Sequence, residues 1–269
     1  MSSSTPVPVR PRSHLSIQAS VIRALILREL QDRFGRDNIG YLWVIGEPLM
    51  LATVISTLHY VGGHATGEST SMQPFPFTVL GYCFFIIFRN IFNRSESAIE
   101  MSLPLLYHRI ITPLDIMYSK IIVDILGCVS SCVVLMTIGI MLGIADFPVR
   151  PLYVFFGLFQ ICWISLGSAL VVASYTYEGH LLKRFVHPFT YFMMPLSGAF
   201  ITMNILPIWA RSFMAWNPLM SIFETIRYGQ FPNAESRYIF PGYTMAVSAG
   251  LTYWGLIAIR RMSRRITVR

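Results

Sequence analysis

The chain has 269 residues, of which 54% are hydrophobic and only 13% are charged, and its mean hydropathy is +0.56. Ordinary soluble domains carry roughly 25% charged residues, so this composition excludes a soluble globular protein and predicts a membrane protein. The formal net charge is +8, and the topology described below accounts for it without nucleic acid as a partner.

The N-terminal segment predicts a disordered leader followed by a helix. Prolines among serines favour disorder in residues 1–14. Residues 15–36 can form a helix, but its apolar run is too short to cross a bilayer, so we favour an interfacial helix on the cytoplasmic leaflet. A solvated helix that packs on another subunit is the alternative. Its charged residues are spaced to pair at i,i+4: Arg28 with Asp32, Glu29 with Arg33, and Asp32 with Arg36.

Apolar runs of about 20 residues predict membrane-spanning helices, because this length crosses a hydrocarbon core of roughly 30 Å. Gly35, Asn38 and Gly40 precede the first run and turn the chain from the interface into the membrane. Six runs are present, at 41–62, 75–93, 116–142, 152–175, 186–206 and 239–259. We therefore expect an all-α membrane protein with six transmembrane helices and a single domain over residues 1–269.

The first two runs carry side chains that need an explanation. Trp43 lies where the membrane interface is expected. Glu47 lies deeper, where a carboxylate has to face protein or water. Arg89, near the end of the second run, is expected to reach the interface or to face the protein interior.

The placement of Lys and Arg predicts that both termini are cytoplasmic. One side holds Arg10, Arg12, Arg23, Arg28, Arg33, Arg36, Arg94, Arg109, Lys120, Lys183, Arg184, Arg260, Arg261, Arg264, Arg265 and Arg269. The other side holds Arg150, Arg211, Arg227 and Arg237. The first forty residues lack the pattern of a cleavable signal peptide, so we expect a mature, cytoplasmic N-terminus. A basic cytoplasmic rim also favours anionic lipid.

Two connecting segments are too apolar for simple loops. Residues 93–112 are amphipathic, and Glu96 and Glu100 share a helix face. A cytoplasmic helix that docks another protein and a connector that lies on lipid both fit this segment. Residues 207–230 carry apolar and aromatic side chains at near-helical spacing, broken by Asn217 and Pro218. They predict two short helices that re-enter the outer leaflet.

Motifs for chemistry on this chain are missing from the sequence. It has no G-x-x-x-x-G-K-[ST] loop for phosphates and no H-E-x-x-H motif. We therefore expect no catalytic site, no metal and no bound cofactor. The cysteines, Cys83, Cys128, Cys132 and Cys162, lie in apolar segments and are interpreted as small core residues.

Two other classes of function stay open at this point. Glu47 and Asp124 could relay protons in a coupled transporter, although Asp124 lies four residues after Lys120 and a structural pair on one helix face is expected. A multi-spanning membrane enzyme would need a cluster such as His108, Asp115 and His180 at one membrane face.

The stretches "RFGRDNIGYLWVIGEPLM" (33–50) and "LPLLYHRIITPLDIMYSK" (103–120) resemble ABC-2 type permease subunits that export capsular polysaccharide across the bacterial inner membrane. The resemblance covers essentially the whole chain and implies the ABC-2 (type V exporter) fold. O-antigen and teichoic-acid permeases share this architecture but match the run N-I-G-x-L-W-x-x-x-E-P less closely. Export of these glycans, or of a small hydrophobic drug, is the nearest alternative.

The resemblance also implies the partners of the chain. These are a second copy of the chain in a homodimer and two ATP-binding subunits, which would hold ATP and Mg²⁺. The implied substrate is a long, often acidic polysaccharide on a lipid anchor. A periplasmic co-polymerase and an outer-membrane exporter are further implied partners, with the hairpin 207–230 as a plausible docking surface.

Candidate site residues follow from the resemblance together with residue type and depth. The expected coupling contacts to the ATP-binding subunit are Glu100, Tyr107, His108, Arg109, Lys183 and Arg184. The expected polysaccharide or lipid-anchor contacts are Arg36, Trp43, Glu47, Tyr82, Arg89 and Arg94. Because a carboxylate repels a polyanion, Glu47 is expected to orient an arginine or to close the resting gate. Aromatic residues suit stacking on sugar rings, but they are equally common as packing residues.

Overall fold

The computed structural model describes residues 14–34, 50, 54, 72–106 and 111–268, and in these ranges the regular structure is helical. The helices are α1 (His14–Phe34), α2 (Pro74–Met101), α3 (Leu103–Leu106), α4 (Pro113–Met141), α5 (Pro151–Glu178), α6 (His180–Leu196), α7 (Ile208–Met214), α8 (Pro218–Gln230) and α9 (Pro241–Val268), with a 3₁₀ turn at Met203–Ile205.

Prolines and capping residues determine where several helices begin. Helices α2, α4, α5 and α8 have Pro in their first turn, where the missing N–H would have no helical partner. Thr112 and Asp115 form a reciprocal capping box at the start of α4. The Asn217 side chain accepts the Leu219 N–H at the start of α8. The break predicted at Asn217 and Pro218 is therefore confirmed.

Helix α2 lies at the centre of the described structure. In its most apolar stretch 72% of the residues are buried, against 39% in α4 and 50% in α5. Helix α5 packs against α2 and α9, while α4 and α6 pack against other parts of α2. The largest fully buried side chains of α2 and α5 are Tyr82, Phe85, Ile87, Ile99, Ile161 and Leu170. The cysteines are free, with Cys83, Cys128 and Cys132 buried, which confirms that these three are core residues.

Glycines allow α5 and α9 to cross closely. A Cβ at Gly255 would lie 2.6 Å from the Leu170 Cβ and 3.2 Å from the Gly167 carbonyl oxygen, and a Cβ at Gly167 would meet Leu251 and Thr252 at 2.9 Å. Small residues at such a crossing let two backbones approach within a membrane. Nearby, Gln160 Nε2 donates a hydrogen bond to Thr244 Oγ1 at 2.7 Å, so polar side chains also join the two helices.

The predicted spans agree with the helices in part. By length and composition, three described helices can cross a membrane: α2, α4 and α5 up to Tyr177. The predicted second span stops at 93, whereas α2 continues to Met101. The predicted fifth span reaches 206, but α6 ends at Leu196, before Gly198 at φ 82°. Apart from Met50 and Val54, residues 41–62 lie outside the described residues, and a total of six spans stays a prediction.

The end of α6 has a physical cause that the hydropathy pattern does not contain. Helix α6 carries Pro188 and Pro195 in its interior, and each proline removes one backbone hydrogen bond. After Leu196 the backbone turns through Gly198, whose positive φ favours glycine. The helix therefore stops about ten residues before the apolar run does.

Replacing Gly255 with Ala is expected to lower the midpoint of thermal unfolding, because the new methyl group would overpack the crossing at a cost of about 1–3 kcal/mol. Buried cysteines provide the readout, since a thiol-reactive fluorophore labels them as the protein unfolds in detergent.

Gly250→Ala is the matched control on α9, because nothing lies within 4 Å of the added Cβ. There, alanine should leave the midpoint unchanged or raise it, since glycine disfavours a helix interior by about 1 kcal/mol. Equal midpoints for the two variants would contradict a tight crossing at Gly255.

Candidate functional site

A row of polar side chains joins the second half of α2 to α6, and we call it the polar ladder. The two helices run antiparallel here, so residues that follow one another on α2 meet residues in reverse order on α6. The pairs of the polar ladder are Glu100 with Lys183, Glu96 with His187, Asn93 with Thr190, and Arg89 with Tyr191.

The spacing of these residues explains why they can form a row. Positions 89, 93, 96 and 100 are separated by four, three and four residues, which places them on one face of a helix. The prediction that Glu96 and Glu100 share a helix face agrees with this row. Beside it, the rings of Phe92 and Phe189 stack with centroids 5.3 Å apart, so an apolar contact supports the polar one.

Each pair in the polar ladder has a defined geometry. Lys183 donates to Glu100, and both side chains are partly exposed. His187 Nε2 lies 3.6 Å from Glu96 Oε1, a salt bridge only when the imidazole is protonated.

Farther along α2, the contacts are hydrogen bonds rather than ion pairs. Thr190 Oγ1 donates to Asn93 Oδ1 at 3.0 Å. Arg89 Nη2 donates to Tyr191 OH at 3.0 Å, and the Arg89 guanidinium lies 4.7 Å from the centre of the Tyr191 ring. The polar ladder therefore combines charged contacts at the Met101 end of α2 with hydrogen bonds nearer its middle.

Helix α5 also contacts the polar ladder. Thr176 Oγ1, two residues before the end of α5, donates to the Glu96 carbonyl oxygen at 3.0 Å. The Glu96 Oε2 atom is buried and has no hydrogen-bond partner among the described residues. Three helices thus meet at Glu96, which makes it the most constrained carboxylate of the polar ladder.

A second set of charged contacts links α2, α4 and α1. Arg94 lies 3.5 Å from Asp124, whose side chain is 2% exposed. Lys120 Nζ lies 2.9 Å from Glu29 Oε2. The predicted pair of Lys120 with Asp124 is therefore wrong, because α1 lies across α4 and offers Lys120 a different carboxylate.

Another contact holds α1 against the start of α4. Gln18 Nε2 donates to Asp115 Oδ1 at 3.2 Å, and Asp115 also belongs to the capping box at the start of α4. On α1 itself, Arg28 pairs with Asp32 at 3.5 Å, which confirms that predicted pair. Helix α1 thus packs within the same chain through α4, which the sequence did not indicate.

The predicted site residues fall into three groups. Glu100, Lys183 and Arg89 lie in the polar ladder, Arg94 pairs with Asp124, and Arg184 is exposed on α6. Tyr82 is 1% exposed and packs near Phe200 at a ring distance of 6.3 Å, so its ring lies in the core. The others, Arg36, Trp43, Glu47, Tyr107, His108 and Arg109, lie outside the described residues.

A buried ion pair on α8 was not predicted. Arg227 Nη1 lies 3.1 Å from Glu224 Oε1, and Arg227 also donates to the carbonyls of Ile201 and Gly198. The Met203 N–H donates to Glu224 Oε1 at 3.0 Å. Burial lowers the pKa of the Arg227 guanidinium, while Glu224 raises it. The pair therefore holds the turn after α6 against α8.

The residues 207–230 form two helices, α7 and α8, which confirms the helical part of that prediction. Helix α8 is buried along most of its length. Helix α7 instead exposes large apolar side chains, namely Ile208 at 81%, Trp209 at 78% and Phe213 at 71%. Whether they re-enter the outer leaflet stays a prediction.

Comparison with known proteins identifies relatives of the chain. The family described as "ABC-2 type transporter" matches residues 20–231. The chain is 30% identical over 252 residues to the capsule polysaccharide export inner-membrane protein CtrC of Neisseria meningitidis, which covers 94% of each chain. It is 28% identical over 255 residues to the capsule polysaccharide export inner-membrane protein BexB of Haemophilus influenzae, with 95% of this chain and 96% of the relative covered. It is 28% identical over 254 residues to the polysialic acid transport protein KpsM of Escherichia coli, with 93% and 96% covered.

Replacing Arg94 with Gln is expected to destabilise the fold by roughly 1–3 kcal/mol, because Asp124 loses a charged partner while it stays buried. The double variant Arg94→Gln/Asp124→Asn should recover most of this loss, since no carboxylate is then left behind. Thermal unfolding midpoints of the wild type, both single variants and the double variant measure the interaction.

Arg28→Gln provides the control, because the Arg28–Asp32 pair is exposed and such pairs contribute about 0–1 kcal/mol. If the double variant were no more stable than Arg94→Gln, the Arg94–Asp124 contact would not be what stabilises Asp124.

Proposed function

Because this chain belongs to the ABC-2 type transporter family, we propose that it is the membrane permease subunit of an ATP-driven exporter of lipid-linked capsular polysaccharide. The observation that carries the proposal is the similarity to three capsule or polysialic acid transport proteins over more than nine tenths of the chain. Two of them are named as inner-membrane proteins, so the inner membrane is the proposed location. Both termini are proposed to be cytoplasmic.

The energy source is proposed to lie on a separate subunit. The sequence has no phosphate-binding loop, and a permease of this family needs an ATP-hydrolysing partner. We propose two copies of this chain and two ATP-binding subunits, with ATP and Mg²⁺ held by the latter. A transport subunit of this kind needs no catalytic site of its own.

The polar ladder is proposed to couple ATP hydrolysis to movement of the helices. Its charged end contains Glu100, which precedes α3 and residues 107–110 in the sequence. These residues include the proposed contacts Tyr107, His108 and Arg109, and Arg184 is exposed one position after Lys183. Force applied at this end would move α2 and α6 together, because their side chains are joined at several heights.

The substrate path is proposed to involve Arg36, Trp43, Glu47, Arg89 and Arg94. In the described structure Arg89 already contacts Tyr191, and Arg94 pairs with Asp124. An acidic sugar or a lipid phosphate would therefore have to compete with these partners. Such competition suits a path that guides a polyanion and then releases it. Tyr82, by contrast, is proposed to act through packing because its ring is buried.

The exposed face of α7 is proposed to lie on the periplasmic side. Its aromatic residues, including Trp209 and Phe213, would enter the outer leaflet or contact a periplasmic co-polymerase that leads to an outer-membrane exporter. Both environments remove apolar surface from water, which explains why α7 can expose these residues in a single chain.

Co-purification tests the proposed assembly. Expression of this chain with its ATP-binding partner should yield a complex of two copies of each, whose ATP hydrolysis in lipid nanodiscs changes when lipid-linked capsular glycan is added. Subunit stoichiometry and phosphate release measure the two parts. A chain that binds no ATP-hydrolysing protein would contradict the proposal and would favour a proton-coupled carrier or a membrane enzyme instead. A response to O-antigen or teichoic acid alone would shift the substrate class.

Charge reversal in the polar ladder tests the coupling proposal. Lys183→Glu and Glu100→Lys should each reduce glycan export by about tenfold, because like charges then face each other, on the assumption that about 1.4 kcal/mol of coupling is lost. The double reversal should recover export, since the pair is restored with the charges exchanged. ATP hydrolysis is measured in parallel, and it should persist in the single variants if they are uncoupled.

The expected pattern separates coupling from folding. All three variants should retain the ATP-binding subunit in pull-down experiments and keep their thermal unfolding midpoints, because the pair is partly exposed. Normal export by both single variants would remove the polar ladder from the coupling path.

A further inference from the structure

A cleft lies between α5 and α9, beyond their crossing at Gly167 and Gly255. It has a volume of about 360 Å³ and is lined by Tyr175 on α5 and by a face of α9. The α9 residues of this face are Tyr253, Trp254, Ile257, Ala258 and Arg261. None of the described residues that are proposed for coupling or for polysaccharide contact lines this cleft.

Two polar groups of the cleft, the Tyr175 hydroxyl and the Arg261 guanidinium, can donate hydrogen bonds to an anion, whereas the Ser174 hydroxyl already donates to the Val171 carbonyl. The Trp254 indole N–H donates to the Tyr175 hydroxyl at 3.0 Å. The Tyr175 oxygen is thereby used as an acceptor, which leaves its own O–H available to a further acceptor. No Asp or Glu is among the residues that line the cleft. An anion that only accepts hydrogen bonds therefore matches this lining.

Arg261 supplies the charge. Within the described part of the chain, the structure records no ion pair or hydrogen bond for its side chain, whereas Arg89, Arg94 and Arg227 each have a partner. Its guanidinium offers several N–H donors in a planar arrangement that matches two oxygens of a phosphate. With respect to the residues that the structure describes, this exposed guanidinium beside an aromatic cleft is therefore available to a ligand.

The predicted sixth span, 239–259, places the cleft at a membrane boundary. Arg261 lies about 30 Å along the axis of α9 from Pro241, which is roughly the thickness of the hydrocarbon core. Tyr and Trp are typical of this boundary, because their apolar rings and polar edges suit it. Ile257 and Ala258 lie between Trp254 and Arg261 along α9 and form an apolar wall of the cleft that an acyl chain can contact.

We propose that the cleft between α5 and α9 binds the phosphate group of an anionic phospholipid, with Arg261 and the Tyr175 hydroxyl as its donors. The ligand is a membrane lipid and not the transported glycan. The inference rests on the proposed function only for the leaflet, which is the cytoplasmic one if the C-terminus is cytoplasmic. Trp254 orients the Tyr175 hydroxyl and is a positioning residue.

Lipid retention tests the proposal. The full chain is placed in nanodiscs that contain equal amounts of phosphatidylglycerol and phosphatidylcholine, and the lipids that stay bound after release are counted by native mass spectrometry. The wild type should retain phosphatidylglycerol in preference. Arg261→Gln should lower the ratio of retained phosphatidylglycerol to phosphatidylcholine about tenfold, as expected for loss of a charge-assisted hydrogen bond.

Matched controls separate the cleft from general attraction between basic residues and lipid. Arg264→Gln removes the same charge one turn farther along α9, at an exposed position, and should leave the ratio within about twofold of the wild type. Tyr175→Phe should lower the ratio, whereas Tyr153→Phe, near the other end of α5, should not. Equal ratios for Arg261→Gln and Arg264→Gln, or no preference in the wild type, would overturn the proposal.

Two further measurements identify the ligand and test whether misfolding of a variant could cause a lower lipid ratio. Inorganic phosphate at millimolar concentration should not displace the retained lipid; displacement would indicate a site for free phosphate and would overturn the lipid assignment. Each variant should unfold at the wild-type temperature, because the residues changed are exposed. The measurement uses no ATP-binding subunit and no glycan, so its failure is distinguishable from failure of the proposed export function.

Discussion

A charge that is removed from water needs a partner close to it, and this requirement governs how the described helices are held together. Arg94 pairs with the buried Asp124, and Lys120 pairs with Glu29, in both cases between two helices. Arg227 pairs with Glu224 within α8. Such pairs contribute less to stability than to specificity, because desolvation offsets much of their attraction. Two of them determine which helix faces which, because Lys120 with Glu29 places α1 on α4 and Arg94 with Asp124 places α4 on α2; the polar ladder places α6 on α2.

Apolar packing adds further contacts between helices that the charged pairs have already placed next to one another. Helix α2 is buried on most sides, so changes at its charged end are transmitted to α4, α5 and α6 alike. The glycine crossing holds α5 against α9, whereas α6 contacts α2 mainly through the polar ladder. Since dense apolar packing is hard to rearrange, α5 and α9 are expected to stay together, whereas partly exposed polar pairs join α6 to α2 so that these two helices can move as a unit. This difference in the type of contact supports the coupling role proposed for the polar ladder.

Features that depend on neighbouring residues could be predicted from the sequence, whereas contacts between helices could not. The break at Asn217 and Pro218 follows from local chemistry, and so does the shared face of Glu96 and Glu100. The i,i+4 rule succeeded for Arg28 with Asp32 on an exposed helix, where no other element competes. The same rule failed for Lys120, because α1 brings Glu29 to it from another part of the chain. Hydropathy likewise placed the end of α6 too far along the chain, since the apolar run continues after the helix has ended at the turn through Gly198. Arg227 looked like an ordinary cation of an outer loop, and only the packing of α8 revealed its burial.

Pro188 lies within α6 between the two halves of the polar ladder, with Lys183 and His187 before it and Thr190 and Tyr191 after it. A proline removes a backbone hydrogen bond, so a helix bends most readily there. Each segment of α6 thus has its own contacts with α2, and the two segments meet at Pro188, where a backbone hydrogen bond is missing. Pro188 can therefore act as a hinge. The segment near Lys183 can tilt through a small angle while Tyr191 stays hydrogen-bonded to Arg89. Under the proposed coupling, a displacement near Lys183 would therefore bend α6 at Pro188.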